Sequence, residues 1–349
     1  GGSYAIDEYI SSWTRVSNTS SFTSSSLDPT VSATHQFEVC LNGTWEGYSY
    51  YSCVNLVIVH IANTLAISTP TTQSATYNTA FTLDLSSGKS GGRSGFTYAV
   101  TTGTLPSWAS LNTSSGAITG TPNALGTSSI TVTVTDANGA TASTSSFDIV
   151  VGKATPTLTT FSNASKALGA GTLSLTAPTA NPTGGTFTYS SATTAVATVS
   201  GSTITPVSVG TSVITATYIP ADTTNYNSAT ITMTFTVSQG TIATPSAPTA
   251  VITAGTLHSF DLSWSTSTGA TSYTVKVYDS AGTTLVKTIT ALSGTSETIA
   301  DNGLIADNTG YKFTITAIGD SNWANSSESA KSSAVVSAKT YTISYDDNN

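Results

Sequence analysis

The chain has 349 residues, a net charge of −8 from 18 acidic and 10 basic side chains, and only 8% charged residues in all. So few cations leave no basic patch to neutralise a phosphate backbone, which argues against nucleic acid as a partner, and no apolar run approaches the length of a membrane span. Hydrophobic residues at 38% and aromatics at 9% argue against disorder. A length well above the roughly 100 residues of one β-sandwich predicts three or four modules. Ser and Thr fill the polar positions that charges usually take, and Thr suits both a pleated backbone and a wet face. The bias reads as β-sheet in an extracellular setting. Opening on Gly1 rather than Met, the sequence is expected to be a processed product or the ordered part of something longer.

In 1–62, Leu27-Asp28-Pro29 precedes His35 to Cys40, where Phe37 and Val39 alternate with polar neighbours. Val54, Leu56, Ile58 and His60 share one parity of a closing strand, and Val57, Val59 and Ile61 share the other. A strand apolar on both faces is expected to touch a neighbouring module as well. The stretch resembles the second half of a fibronectin type III-like sandwich whose first two strands are missing. Cys40 and Cys53 are the two cysteines. If Glu46-Gly47 form a two-residue turn, these positions face each other as a non-hydrogen-bonded pair, with Cα atoms about 4.5 Å apart and within disulfide range. A four-residue turn would reverse that parity. Two free thiols are the bland alternative, and a metal site lacks further Cys or enough His. The expected Cys40–Cys53 disulfide implies an oxidising compartment. The hairpin tip carries Trp45, Tyr48, Tyr50 and Tyr51. Rings there can stack on a sugar or bury into a partner; they can equally pair across strands or pack on a neighbouring module.

The next stretch, 63–152, opens with Asn63-Thr64-Leu65-Ala66-Ile67. In Ile130 to Thr135 every second side chain is β-branched hydrocarbon, the period of a strand with one buried face. Asp136-Ala137-Asn138-Gly139 supplies residues that tolerate positive φ and lets the chain reverse. With Leu105-Pro106, Trp108 and the cluster Ser115 to Pro122, these features resemble the cadherin-like and "putative Ig" modules found in tandem on bacterial surface proteins. Trp108 reads as a core plug rather than a ligand platform. Lys89 to Gly95 is rich in Gly but lacks the order of a phosphate-binding loop and reads as a flexible turn.

In 153–239, the strand Gly210 to Tyr218 and the step Asn225 to Thr230 before the closing strand resemble bacterial Ig-like repeats of adhesins. In 240–338, Pro245 and Pro248 lead in, Phe260 to Trp264 gives a strand with a core Trp, and Tyr273 to Val277 gives the next. Ile305 and Tyr311 fit a tyrosine corner, and Tyr311, Phe313, Ile315 and Ala317 form an inward face. This stretch resembles a complete fibronectin type III domain. Residues 339–349 read as the start of a further module or a tail.

Catalysis finds little to work with. His35, His60 and His258 sit in strand contexts, and a nucleophile needs a base within reach. The paired acids Asp7-Glu8 and Asp346-Asp347 lie near the ends, where a closed pocket is hard to build. Asp136, Asp148, Asp222 and Asp320 could lie near module junctions, where cadherin relatives hold calcium, but strong sites need clustered carboxylates. Here the carboxylates are scattered, so no cofactor is expected, structural calcium being the one that the resemblance allows. Asn18, Asn42, Asn112, Asn163 and Asn325 open glycosylation sequons. The expectation is an all-β protein of tandem Ig-like and fibronectin III-like sandwiches in an extended array. It would be a non-catalytic structural or adhesive segment of a large extracellular prokaryotic surface protein, partnered by other modules or copies. The alternatives are an adhesin segment binding glycans or protein through the 45–51 tip, and a phage virion protein.

Overall fold

The computed structural model describes residues 13–14, 33–45, 47–60, 64–256, 258–300 and 309–338. Among them the regular structure is β-strand throughout, save a 3₁₀ turn at Ser86–Gly88. The chain divides into two compact units, Gly1–Thr155 with Thr224–Asn227, and Pro156–Thr223 with Ser228–Asn349.

The first unit begins with a long hairpin. Strands Ala33–Trp45 and Tyr48–His60 pair over thirteen positions, from Ala33 opposite His60 to Trp45 opposite Tyr48, and Trp13–Thr14 adds a third strand beside Asn42 and Gly43. That register leaves two residues for the turn, with Gly47 at φ 83°, the left-handed backbone that lets a tight turn match the strand twist. The described residues of this stretch form one three-stranded sheet, whose two long strands each span roughly 44 Å at about 3.4 Å per residue.

The rest of the first unit is a sandwich. One layer joins Phe81–Asp84, Ala117–Gly120 and Ala109–Leu111; the other is centred on Gly126–Thr135, flanked by Thr97–Thr102, Thr141–Ser143 and Phe147–Gly152, with Gln73–Thr76 parallel to the last. The alternation in 130–135 sends Ile130, Val132 and Val134 inward, all fully buried, and each contributes about 1.5–3 kcal/mol by leaving water. Leu85, Tyr98, Ile118, Phe147 and Ile149 are among the other residues of this core. Trp108 is half-buried against it, edge-on to Phe81 with ring centroids 5.8 Å apart. On the wet face the Thr133 hydroxyl bonds Thr101 Oγ1 at 2.9 Å and Ser143 Oγ at 2.8 Å, a hydroxyl row across three strands. Residues 224–227 join this unit through Ala154 N, which donates to Asn225 O, and Asn227 N, which donates to Ala154 O.

The second unit holds two separate cores. In the earlier one, Ala164–Ala167, Ala229–Ser238, Gly210–Ile219 and Thr186–Ser191 form a sheet facing Leu173–Ser174, Thr203–Pro206 and Ala197–Ser200. Ala197, Ile204, Ile214, Met233, Phe235 and Val237 fill the space between. Tyr218 is buried at the end of its strand, its hydroxyl donating to Pro182 O at 2.7 Å and accepting from Gly185 N at 2.8 Å. In the later one, Thr249–Ile252, Phe260–Ser263 and Ser296–Ile299 face a sheet of Leu285–Leu292, Ser272–Asp279, Gly310–Ile318 and Val335–Val336. Its core includes Phe260, Leu262, Trp264, Val275, Phe313 and Ile315. Trp264 lies edge-on to Tyr273 at 5.5 Å, and Tyr273 accepts a hydrogen bond from Ser267 N. Tyr311 is buried in this core, whereas Ile305, its expected corner partner, lies outside the described residues.

Candidate functional site

The hairpin tip is where the sequence concentrates aromatic side chains, and the register fixes their positions. Cross-strand partners share a face, and faces alternate every residue. Trp45 pairs with Tyr48, and Gly43 stands between Trp13 and Tyr50. By that period Trp45, Tyr48, Tyr50 and Trp13 fall at positions of one face, and Tyr51 falls on the other. Tyr48 is 70% exposed. Cys40 and Cys53 are direct register partners. Of the histidines, His35 pairs with Ile58 and His60 with Ala33, both inside the hairpin ladder. Asp7, Glu8, Asp346 and Asp347 lie outside the described residues.

Three of the carboxylates singled out by the sequence, Asp136, Asp148 and Asp320, are spent on the fold. Asp136, 4% exposed, takes N–H donors from Asn138 and Ala140 on Oδ1 and from Arg93 on Oδ2, each at 2.9 Å. One side chain thus closes its own turn and pins the Gly-rich 89–95 loop, whose Arg93 also donates to Asn138 Oδ1. That loop, expected to be a flexible turn, is tied at its centre. Asp148 accepts from Ser129 Oγ, and Asp320 Oδ1 accepts from the N–H groups of Asn322 and Trp323. No cluster of three or more potential metal-ligating side chains occurs among the described residues. Of the sequon residues, Asn112 Oδ1 accepts from Ser114 N and Ser115 N, Asn163 Oδ1 from Thr234 N, and Asn325 Oδ1 from Gly319 N.

Two polar groupings escape the sequence reading. Ser326, Ser329 and Ser332, all buried, each accept on Oγ from the strand beside them: Ala317 N at 2.9 Å, Ile315 N at 2.9 Å and Phe313 N at 3.0 Å. Their own N–H groups return bonds to the carbonyls of the same three residues. The spacing S-x-x-S-x-x-S was the available signal, hidden in a chain rich in Ser. Beside it, Glu328 receives Lys276 Nζ at 2.7 Å, Tyr278 OH at 2.7 Å and Thr314 Oγ1 at 2.6 Å. Burial works to raise the Glu328 pKa, but these three donors and the Lys276 charge outweigh it and hold the carboxyl at about 2. The same contact pushes Lys276 and Tyr278 upward. Such a cluster fixes a surface; it offers no pocket.

A shallow cavity of about 200 Å³ lies between Trp108, Leu125 and Val151 at one end of the first sandwich. Among the described residues no helix is long and apolar enough to cross a membrane.

In comparison with known proteins, residues 63–152 match the model of a family described as "Putative Ig domain". No curated protein matches the chain. Among solved structures, an Fn3-like protein from Clostridium thermocellum is similar at 25% identity over 29% of this chain and 95% of that one, with a TM-score of 0.21. Drosophila N-cadherin EC1-3 is similar at 14% identity over 78% and 99%, with a TM-score of 0.24. A "putative alpha-galactosidase" from Bacteroides fragilis is similar at 20% identity and a TM-score of 0.23; 26% of this chain is matched, and it spans 18% of that protein. The described residues are all-β and build tandem sandwiches, and the stretch 63–152 among them is similar to an immunoglobulin-like family.

Proposed function

We propose that this chain is a non-catalytic structural and adhesive segment of a large extracellular prokaryotic surface protein, a stalk or fibre element on the cell surface. The observation that carries the reading is how its polar chemistry is used. Asp136, Asp148, Asp320 and Glu328 all serve turns, loops or strand faces, which is how a scaffold uses charge, whereas catalysis calls for titratable groups that converge in a pocket within reach of a reacting atom. The modules proposed are 1–62, 63–152, 153–239 and 240–338, with 339–349 opening a further module or tail, and other modules or copies of the same protein are the partners. The register pairing of Cys40 with Cys53 supports a disulfide there, as expected in an oxidising compartment. Thiol labelling of the denatured, unreduced chain then finds no free cysteine.

A second reading, a glycan- or protein-binding adhesin segment, is favoured by the 70% exposure of Tyr48 at the aromatic hairpin tip. Glycan and protein arrays separate the two. A scaffold gives no signal above background, and binding that is lost in Tyr48→Ala and Trp45→Ala establishes the adhesin. Imaging of native particles distinguishes a cell surface from a virion.

A further inference from the structure

In the second unit, strand Ala229–Ser238 closes the first core, and Gly240–Thr241 already belongs to the second, so a single residue, Gln239, separates them. A one-residue tether prevents separation but leaves bending and twisting to the backbone dihedrals of that residue and its neighbours. Side-chain contacts from elsewhere in the chain remove that freedom here, and they converge on the turn 319–323.

Asp320 builds the turn. Its Oδ1 accepts Asn322 N at 2.8 Å and Trp323 N at 3.1 Å, and its own N–H donates to Trp323 O at 3.0 Å. So held, Asn322 reaches the earlier sandwich of the same unit: its Oδ1 accepts the N–H of Val209 at 2.8 Å, while its carbonyl accepts Gly240 N at 2.9 Å. Gln239 Nε2 donates to Ser321 O at 3.1 Å. The Trp323 ring lies partly buried against the later core of this unit, and it also meets the earlier sandwich at Gly169. A Cβ built on Gly169 would stand 2.5 Å from Trp323 Cη2, and one on Gly240 would stand 2.6 Å from Cε3 and Cζ3. At Gly269 a Cβ would overlap the ring. Glycine at these three positions leaves the space that the indole occupies. Gly169 lies in the turn between Ala164–Ala167 and Leu173–Ser174 of the earlier sandwich, where its φ of 78° already favours glycine and the bare Cα also admits the indole from the later core.

We propose that the 319–323 turn is a clasp that locks the two sandwiches of this unit into one rigid pair at a fixed angle. Its grip on the earlier sandwich comes from two separate segments, around Gly169 and at Val209, and the turn also holds the tether at Gln239-Gly240. One tether permits rotation; attachments at several separate segments oppose it. The aromatic ring supplies packing area, and the Asn322 amide supplies direction, because a hydrogen bond to a backbone N–H weakens steeply when the angle changes.

The test uses the full chain with spin labels carried by non-canonical amino acids at Thr188 and Thr288, both exposed and one on each sandwich. Pulsed dipolar spectroscopy should give one narrow distance distribution in the unmodified sequence. In the double variant Asn322→Ala/Trp323→Ala the width should at least double. A second label pair, Thr288 with Ser296, lies wholly within the second sandwich and reports whether that sandwich remains folded. If this internal pair also broadens, the single variant Asn322→Ala decides, since it removes only an acceptor on the turn: broadening between the sandwiches supports the clasp, and an unchanged width overturns it. A broad distribution in the unmodified sequence, or a narrow one that survives the double variant with the internal pair intact, overturns it equally.

Discussion

The sandwich in the first unit and the later sandwich of the second unit finish their sheets by different means. Phe147–Gly152 closes the former as an ordinary strand, antiparallel to Gly126–Ile130 and parallel to Gln73–Thr76, with residues buried in strict alternation. The later sandwich is closed by 326–332, where burial repeats every third residue and serine hydroxyls stand in for backbone acceptors. Three residues of the closing segment match two of the strand Gly310–Ile318 at each step, as in a bulge that repeats. A backbone ladder accepts many sequences, since its donors and acceptors belong to every residue. A hydroxyl ladder is written in the side chains and fails when they change. It also blunts the edge of the sheet, because the out-turned extra residues spoil the template that a straight edge strand would offer to another chain.

The most severe break of this comparison is the triple variant Ser326→Ala/Ser329→Ala/Ser332→Ala. It strands three buried N–H groups, and a loss of roughly 3–6 kcal/mol is expected in denaturant titration. Ser329→Ala alone should lose about 1–3 kcal/mol. Next comes Asp136→Ala, at about 2–4 kcal/mol for a buried carboxylate with three backbone donors. That loss would show that the first sandwich keeps its side-chain specificity in the turn before its closing strand, and a loss below 1 kcal/mol would remove the distinction. A smaller effect is expected from pH. Glu328 sits at about 2 when folded, against the usual 4.5, so its contribution is fully present above pH 4.5 and fades as the pH falls through 2. With Glu328 and Lys276 about one-third exposed, solvent screening reduces this to about 1 kcal/mol. Acid titration of stability should show that slope, and Glu328→Gln should flatten it. The smallest change is expected at Val150→Thr, a half-buried position in the regular closing strand, where stability should stay within about 0.5 kcal/mol.

What the sequence made legible follows from the range of the interactions. The inward set Ile130, Val132 and Val134 could be read from a period of two, and Asp136 to Gly139 could be read as a turn, because both depend on neighbours in the chain. The grip of Asp136 on Arg93 spans 43 residues, and nothing local announces it. Trp323 passed unread for the same reason, since the glycines that receive it lie at 169, 240 and 269. The serine ladder is local in spacing, but in a chain where Ser is common a period of three carries little weight until a partner strand is seen beside it. At the hairpin tip the aromatic composition was plain from the residues, while the placing of Trp13 across Gly43 from Tyr50 needed the register.

The hydroxyl row of Thr101, Thr133 and Ser143 has a bearing on the medium in which the protein can work. Attraction between charges is damped over about 10 Å in 0.1 M salt and over about 3 Å in 1 M salt. A surface knit by ion pairs therefore loosens as brine thickens. Neutral hydroxyls carry no net charge for the ions to shield, and each can donate or accept, so the row can reverse its direction without losing a bond. In a chain with only 8% of its residues charged, a face knit by such a row should keep its cohesion largely unchanged as ionic strength rises.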